Sequence, residues 1–206
     1  LYANSNLDLC NTLVCSNGVD LSKFSYEFIP NGKKLVFIGN MYSAQNFDAA
    51  YWFAKNVLPI IRQYDNYEFH VIGKIPTDGS RKLTRIPGVV VTGAVENVGE
   101  IARGALAGIC SVRLAAGVQN KILEYMALGI PTITSSTGLE GLFAEENVSV
   151  LVANKIDEYV NHILMLKKNA NFAEMIARNA FCYVKEHHSW DEKLKPLINK
   201  IDEILK

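Results

Sequence analysis

The chain has 206 residues, 49% of them apolar, 20% charged and 10% aromatic, which excludes disordered and fibrous architectures and suits one large core or two small ones. Lys and Arg number 21 and so do Asp and Glu, so no net field draws the chain to a nucleic-acid backbone or an acidic membrane. The longest uncharged run, Tyr125 to Leu139, is interrupted by Gly129 and Pro131 and is too short to cross about 30 Å of hydrocarbon.

Residues 1–32 read as an interdomain linker, with a short strand at 12–15, a turn at Asn17 and Gly18, and an irregular stretch to Pro30 and Gly32. The chain opens on Leu1 with neither a basic region nor an apolar signal core, and is expected to be a piece of a longer protein. Residues 33–153 then alternate short β-branched runs with helical patterns, the mark of βα units and a parallel sheet. The runs at 35–39 (LVFIG), 69–73 (FHVIG), 89–92 (VVVT), 108–112 (GICSV), 130–134 (IPTIT) and 148–152 (VSVLV) are continuously apolar, as strands buried on both faces require. Between the first two, Phe47, Ala50, Ala54, Val57, Leu58 and Ile61 fall at helical spacing, with Pro59 ending or kinking the helix. Residues 154–206 carry three amphipathic helical patterns that pack on the same domain. The expected fold is α/β, a Rossmann-like doubly wound parallel sheet with C-terminal helices.

Cys10, Cys15, Cys110 and Cys182 show no CxxC spacing and no neighbouring His, so reduced thiols in a cytoplasmic protein are expected rather than a zinc cluster, a redox motif or a disulfide framework. His187 and His188 are adjacent, point about 100° apart on a helix and make no i,i+4 metal pair; a solvated helix end is expected there.

Ligands of an open α/β sheet bind outside the carboxyl ends of its strands. The residues to weigh are therefore Gly39 and Asn40 after the first strand, Gly73 and Lys74 after the second, Gly93 after the third, Arg113 to Gly117 after the fourth, and Ser135 to Gly141 after the fifth. The stretch GVQNKILEYMALGIP at 117–131 starts on a glycine, is rich in helix formers and stops at Gly129 with Pro131 beyond. The start of that helix offers unpaired amides and the positive end of a dipole to a phosphate, with Lys121 one turn in. Glu124, three residues after Lys121, can accept two hydrogen bonds from a ribose diol; from spacing alone the two side chains read first as an ordinary exposed i,i+3 ion pair.

The segment NKILEYMALGIPTITSSTGLEGL strongly resembles the donor-binding segment of retaining GT-B-fold glycosyltransferases of the group 1, or GT4, family. Three further stretches resemble the family in order and spacing: NGVD at 17–20 with Phe24, FIGNMYSAQNFDAAYWFAKNVLPII, and VVVTGAVENVGEI. The resemblance implies the C-terminal, nucleotide-sugar-binding half of a GT-B enzyme. It gives Glu124 the ribose, the amides of Gly117, Val118, Gln119 and Asn120 the diphosphate, Gly39 and Asn40 the donor phosphates, and Gly93, Ala94 and Val95 the border of the base. Gly138, Leu139, Glu140 and Gly141 would lie beside the donor sugar.

Two positions depart from the family pattern. Ala116 stands eight before Glu124, where many members carry a first glutamate, and the loop at 39–46 lacks the usual basic pair. Lys121, with Lys74 or Arg113, would then balance the diphosphate. The implied reaction is hexosyl transfer from a nucleoside diphosphate sugar to a glycan or glycolipid acceptor in polysaccharide biosynthesis, with no cofactor and no metal. The acceptor pocket and catalytic base are expected in the other domain, and the placement cytoplasmic or peripheral at the inner membrane face. Two other readings remain: a non-catalytic, chaperone-like relative, and a nicotinamide dehydrogenase, against which stands the absence of GxGxxG after the first strand.

Overall fold

The computed structural model describes residues 13, 15–29, 32–114 and 117–205. In chain order its elements are β1 (Lys34–Ile38), α1 (Ala44–Asn56), α2 (Leu58–Ile61), β2 (Glu68–Ile72), α3 (Thr77–Thr84), β3 (Val89–Gly93), α4 (Val98–Ala102), β4 (Ala107–Cys110), α5 (Asn120–Leu128), β5 (Thr132–Thr134), α6 (Ser136–Leu139), β6 (Leu151–Val152), α7 (Ile156–Lys168), α8 (Ala170–His187) and α9 (Trp190–Ile204). All strand pairs are parallel, in the order β3-β2-β1-β4-β5-β6. The chain therefore winds outward from β1 to β3, then returns to lay β4 on the other side of β1. The connections leaving β1 and β4 diverge there and open a crevice at the carboxyl ends, the topological switch point of a doubly wound sheet.

The continuous apolar runs are explained by β1. Leu35 and Phe37 enter the larger core, with Phe53 of α1 and Tyr159 of α7, while Val36 and Ile38 enter a second core with Tyr125 and Leu128 of α5. Side chains alternate across a strand, so a strand covered on both faces must be apolar at every position. Strand β3 departs from this expectation: at the sheet edge, its Val90 is 37% exposed. The last strand is also shorter than the run at 148–152 suggests. The amides of Val148, Ser149 and Val150 turn back onto the Glu145 carbonyl, and Asn147 takes a φ of 60°, which leaves only Leu151 and Val152 to pair with β5.

The helical run breaks at Pro59 as expected: α1 stops at Asn56, and after Val57 a new helix begins at Leu58. Pro59 occupies the first turn of α2, a separate short helix after α1, where the N–H it lacks would have had no partner. The helix α5 stops where its sequence says: Gly129 is left-handed at φ 76°, and the Ile130 amide returns to the Tyr125 carbonyl.

Of the strand expected at 12–15, residues 12 and 14 lie outside the described residues, and 13 and 15 are not in a strand. The connecting segment is instead tied down at Val19, whose N–H donates to the His188 carbonyl at 2.7 Å and whose carbonyl accepts from Trp190 N–H at 3.3 Å. His188 is thus buried, 4% exposed, and not the solvated residue its sequence position suggests.

Candidate binding site at the switch point

A cavity of about 210 Å³ opens between β1 and the start of α5, lined by Ile38, Gly39, Asn46, Val118, Gln119, Asn120, Lys121 and Glu124. One wall is the end of β1. The other is the first turn and a half of α5, whose N-cap residue Gln119 makes no side-chain bond to the first-turn amides. The starts of α4, α6, α8 and α9 are each closed by their own N-cap side chain, while those of α1, α2 and α3, like that of α5, make no such bond. The Gln119 side chain turns away to the Gly117 carbonyl at 3.2 Å and accepts from Lys121 Nζ at 3.1 Å. The helix start thus keeps donors and positive potential facing the crevice.

Lys121 is 7% exposed, with Nζ 5.3 Å from the centre of the Phe37 ring. An ammonium has three donors, and Gln119 takes one. Glu124 is partly buried one turn further on. Burial pushes its carboxyl above the usual glutamate range, and the Lys121 charge pulls it partly back. Among the lining residues these are the only cation and the only anion. They are not the exposed ion pair that spacing alone allows.

The loops after β1, β2 and β3 are tied together by backbone. Gly39 N–H donates to the Ile72 carbonyl, Gly73 N–H to the Gly93 carbonyl, and Met41 N–H to the Lys74 carbonyl. Gly73 has φ 131°, and a Cβ there would lie 2.0 Å from the Gly39 carbonyl oxygen, so only glycine lets the two loops meet. Asn40 is held by its own turn: its side chain accepts from Tyr42 N–H and its carbonyl from Asn46 Nδ2. Gly141, at φ 83°, brings the loop after β5 against Val118, 3.3 Å from where its Cβ would be.

The chain matches the glycosyl transferases group 1 family over residues 32–169. It belongs to that family. A Klebsiella pneumoniae relative described as an uncharacterized 44.6 kDa protein in the cps region is 23% identical over 175 residues, covering 80% of this chain and 45% of the relative. The fold of this group 1 family chain is that of Anabaena Alr3699/HepE, solved in complex with UDP, at a TM-score of 0.74 and 14% identity over 93% of this chain and 57% of that one. The C-terminal domain of the Francisella tularensis group 1 protein LpcC superposes at a TM-score of 0.65 and 16% identity, over 84% of this chain and 100% of that domain. The chain therefore spans about half the length of the curated relative it matches.

Within this glycosyltransferase fold the site residues expected from the sequence divide. Gly39, Val118, Gln119, Asn120, Lys121 and Glu124 line one cavity, and Gly117, Asn40 and Gly141 adjoin it. Gly93 ends β3 with its carbonyl on the Gly73 N–H, Ala94 follows it in the loop, and Val95 packs on the core that holds Ile38. Gly138 is buried, its Cα side filled by Thr134 and Cys110; Leu139 packs on the main core, and Glu140 is exposed. Lys74 is exposed and does not line the cavity. Arg113 is drawn off by a partner the sequence did not reveal: its Nε and one Nη donate to Asp48 at 3.1 and 2.5 Å, and its guanidinium lies 5.9 Å from the Trp52 ring centre. Ala116 lies outside the described residues.

Sequence reasoning also missed Tyr125, fully buried beneath the cavity. Its hydroxyl accepts from Ile38 N–H at 2.8 Å and donates to the Ile109 carbonyl at 3.2 Å, bridging β1 and β4 where they part. Among the described residues no cluster of His, Cys, Asp or Glu is placed to hold a metal ion, and no helix is long and apolar enough to cross a membrane.

Proposed function

We propose that this chain is the nucleotide-sugar-binding half of a glycosyltransferase that moves a hexosyl unit from a nucleoside diphosphate sugar to a glycan or glycolipid acceptor in polysaccharide biosynthesis. The observation that carries this reading is the single cavity in which an open helix start, a buried ammonium and a partly buried carboxylate converge. The amides at 118–121 and Lys121 take the diphosphate, and Glu124 accepts from the ribose diol. When the sugar–diphosphate bond breaks, negative charge grows on the leaving phosphate oxygen. Donors already fixed at the helix start stabilise that charge, and Lys121 supplies a positive charge at the same place. The UDP held by the structurally similar Anabaena protein and the cps-region description of the Klebsiella relative both agree with this assignment.

The acceptor side and the catalytic base come from the remainder of a longer chain, so residues 1–206 bind donor without transferring sugar. Calorimetric titration with UDP, GDP, ADP and dTDP tests this. One nucleotide is expected to saturate the chain, with Lys121→Ala and Glu124→Ala each weakening it about tenfold or more, the worth of a charge-assisted hydrogen bond. Binding unaffected by either substitution, or sugar transfer by the chain alone, contradicts the reading.

A further inference from the structure

The cavity at the switch point has two walls that come from different parts of the chain. One is β1 with the first turn of α1, where Asn46 lines the cavity and donates from Nδ2 to the Asn40 carbonyl at 3.0 Å. The other is the start of α5 and the end of the connection that leads to it from β4. Gln119 does not cap that helix, and Gly117 is left-handed at φ 76°, with no described atom beyond its chain neighbours within 4 Å of where a Cβ would be. Apart from the touch of Gly141 at Val118, the connection is held at its root.

Three successive residues after β4 hold it. Ser111 is buried, and its Oγ donates to the Ala49 carbonyl of α1 at 2.9 Å. The Val112 carbonyl accepts from Ser135 Oγ. Arg113 donates through Nε and one Nη to the two carboxylate oxygens of Asp48 on α1, at 3.1 and 2.5 Å. Two parallel bonds from a planar fork fix direction as well as distance. Asp48 and Trp52 stand four residues apart on one face of α1, so the carboxylate holds the guanidinium while the indole packs 5.9 Å from its carbon.

We infer that Arg113 and Asp48 are a positioning pair for the donor site and not ligands of the donor. The pair fastens the connection before α5 to the helix that carries Asn46, and thereby sets the spacing between the two walls of the cavity. This rests on reading the start of α5 as the diphosphate site. Amides at 118–121 stabilise a growing charge best when they are fixed before it forms. The pair is neutral as a whole, so it contributes placement and no net charge.

The two roles differ in sign. If Arg113 met the phosphates, Asp48 would only compete for it, and removing Asp48 would tighten binding by freeing a cation and deleting an anion. If the pair positions the helix start, removing either partner weakens binding.

The test is calorimetric titration of the 206-residue chain with UDP, GDP, ADP and dTDP, repeated with the nucleotide that saturates it on Asp48→Ala, Arg113→Ala and the double variant. Amide NMR spectra of each unliganded, isotope-labelled chain accompany it. Each single variant is expected to bind about fivefold more weakly, the scale of one well-formed surface ion pair. The double variant is expected within about twofold of the singles, because the pair is broken already. The amide signals at 117–121 are expected to move in both single variants. Tighter or unchanged binding by Asp48→Ala overturns the positioning role, and so does a double variant weakened by the product of the two single effects. A lowered melting temperature with unaltered affinity marks a pair that serves stability alone and overturns it too. A parent chain that binds none of the four nucleotides contradicts the donor reading, and the amide signals then decide the pair: movement at 117–121 in both single variants supports it as the tie of the helix start, and unmoved signals overturn it.

Discussion

A carboxylate that accepts from a ribose diol must be ionised, and the burial of Glu124 works against ionisation. Its carboxyl lies above the ordinary glutamate value of 4.5 because of desolvation, tempered by Lys121. The signs of two pH dependences follow. Between the ordinary and the raised value the folded chain holds a proton that the unfolded chain has released. Glu124 thus favours folding at low pH and loses that contribution as the pH rises through the raised value. Donor binding runs the other way, strengthening as Glu124 ionises. Calorimetric titration with UDP across that range, on the parent chain and on Glu124→Gln, isolates this group from the titration of the phosphate itself. The affinity ratio of parent to variant is expected to grow with pH towards about 10- to 100-fold, the worth of hydrogen bonds to a charged acceptor. A ratio that stays constant with pH would separate Glu124 from the diol.

Helix α5 joins the site to the fold. Its outward turn gives Lys121 and Glu124 to the cavity, while Tyr125 passes beneath and bonds both β1 and β4. The ring lies over Gly108, where a Cβ would fall 2.3 Å from it. Tyr125→Phe keeps the packing but leaves the buried Ile38 N–H without an acceptor, so thermal unfolding is expected to show a loss of about 1–3 kcal/mol. An unchanged melting temperature would mean that Ile38 finds another partner. Much of this element was legible in the sequence, because helix stops are local chemistry: Gly129 and Pro131 end α5 where they should. So were the six strands, because burial on both faces leaves an uninterrupted apolar run. What escaped was contact over distance. Nothing local marks Asp48 as the partner of Arg113, 65 residues away, or tells the Tyr125 hydroxyl from any other in an uncharged stretch. The edge position of β3 and the turn that shortens β6 are likewise products of tertiary placement.

At the scale of the whole molecule, the cavity at the switch point is bordered by the loop after β5, whose Gly141 lies against Val118. The segment before β1 ties the start of α5 to the end of α8. Asn17 donates from Nδ2 to Asn120 Oδ1 at the start of α5, and its carbonyl accepts from His188. Segment, helix start and α8–α9 junction thus meet beside the crevice. The sequence does not show that this segment touches the site, since an Asn in a turn signals only the turn.

The claim on which the rest depends is that a nucleoside diphosphate sits at the switch point, with its phosphates on the start of α5. A crystal structure of the chain with UDP tests it directly. The diphosphate is predicted against the amides at 118–121 and Lys121, with the ribose hydroxyls on Glu124. UDP ordered elsewhere on the chain, with this cavity filled only by water, would contradict it.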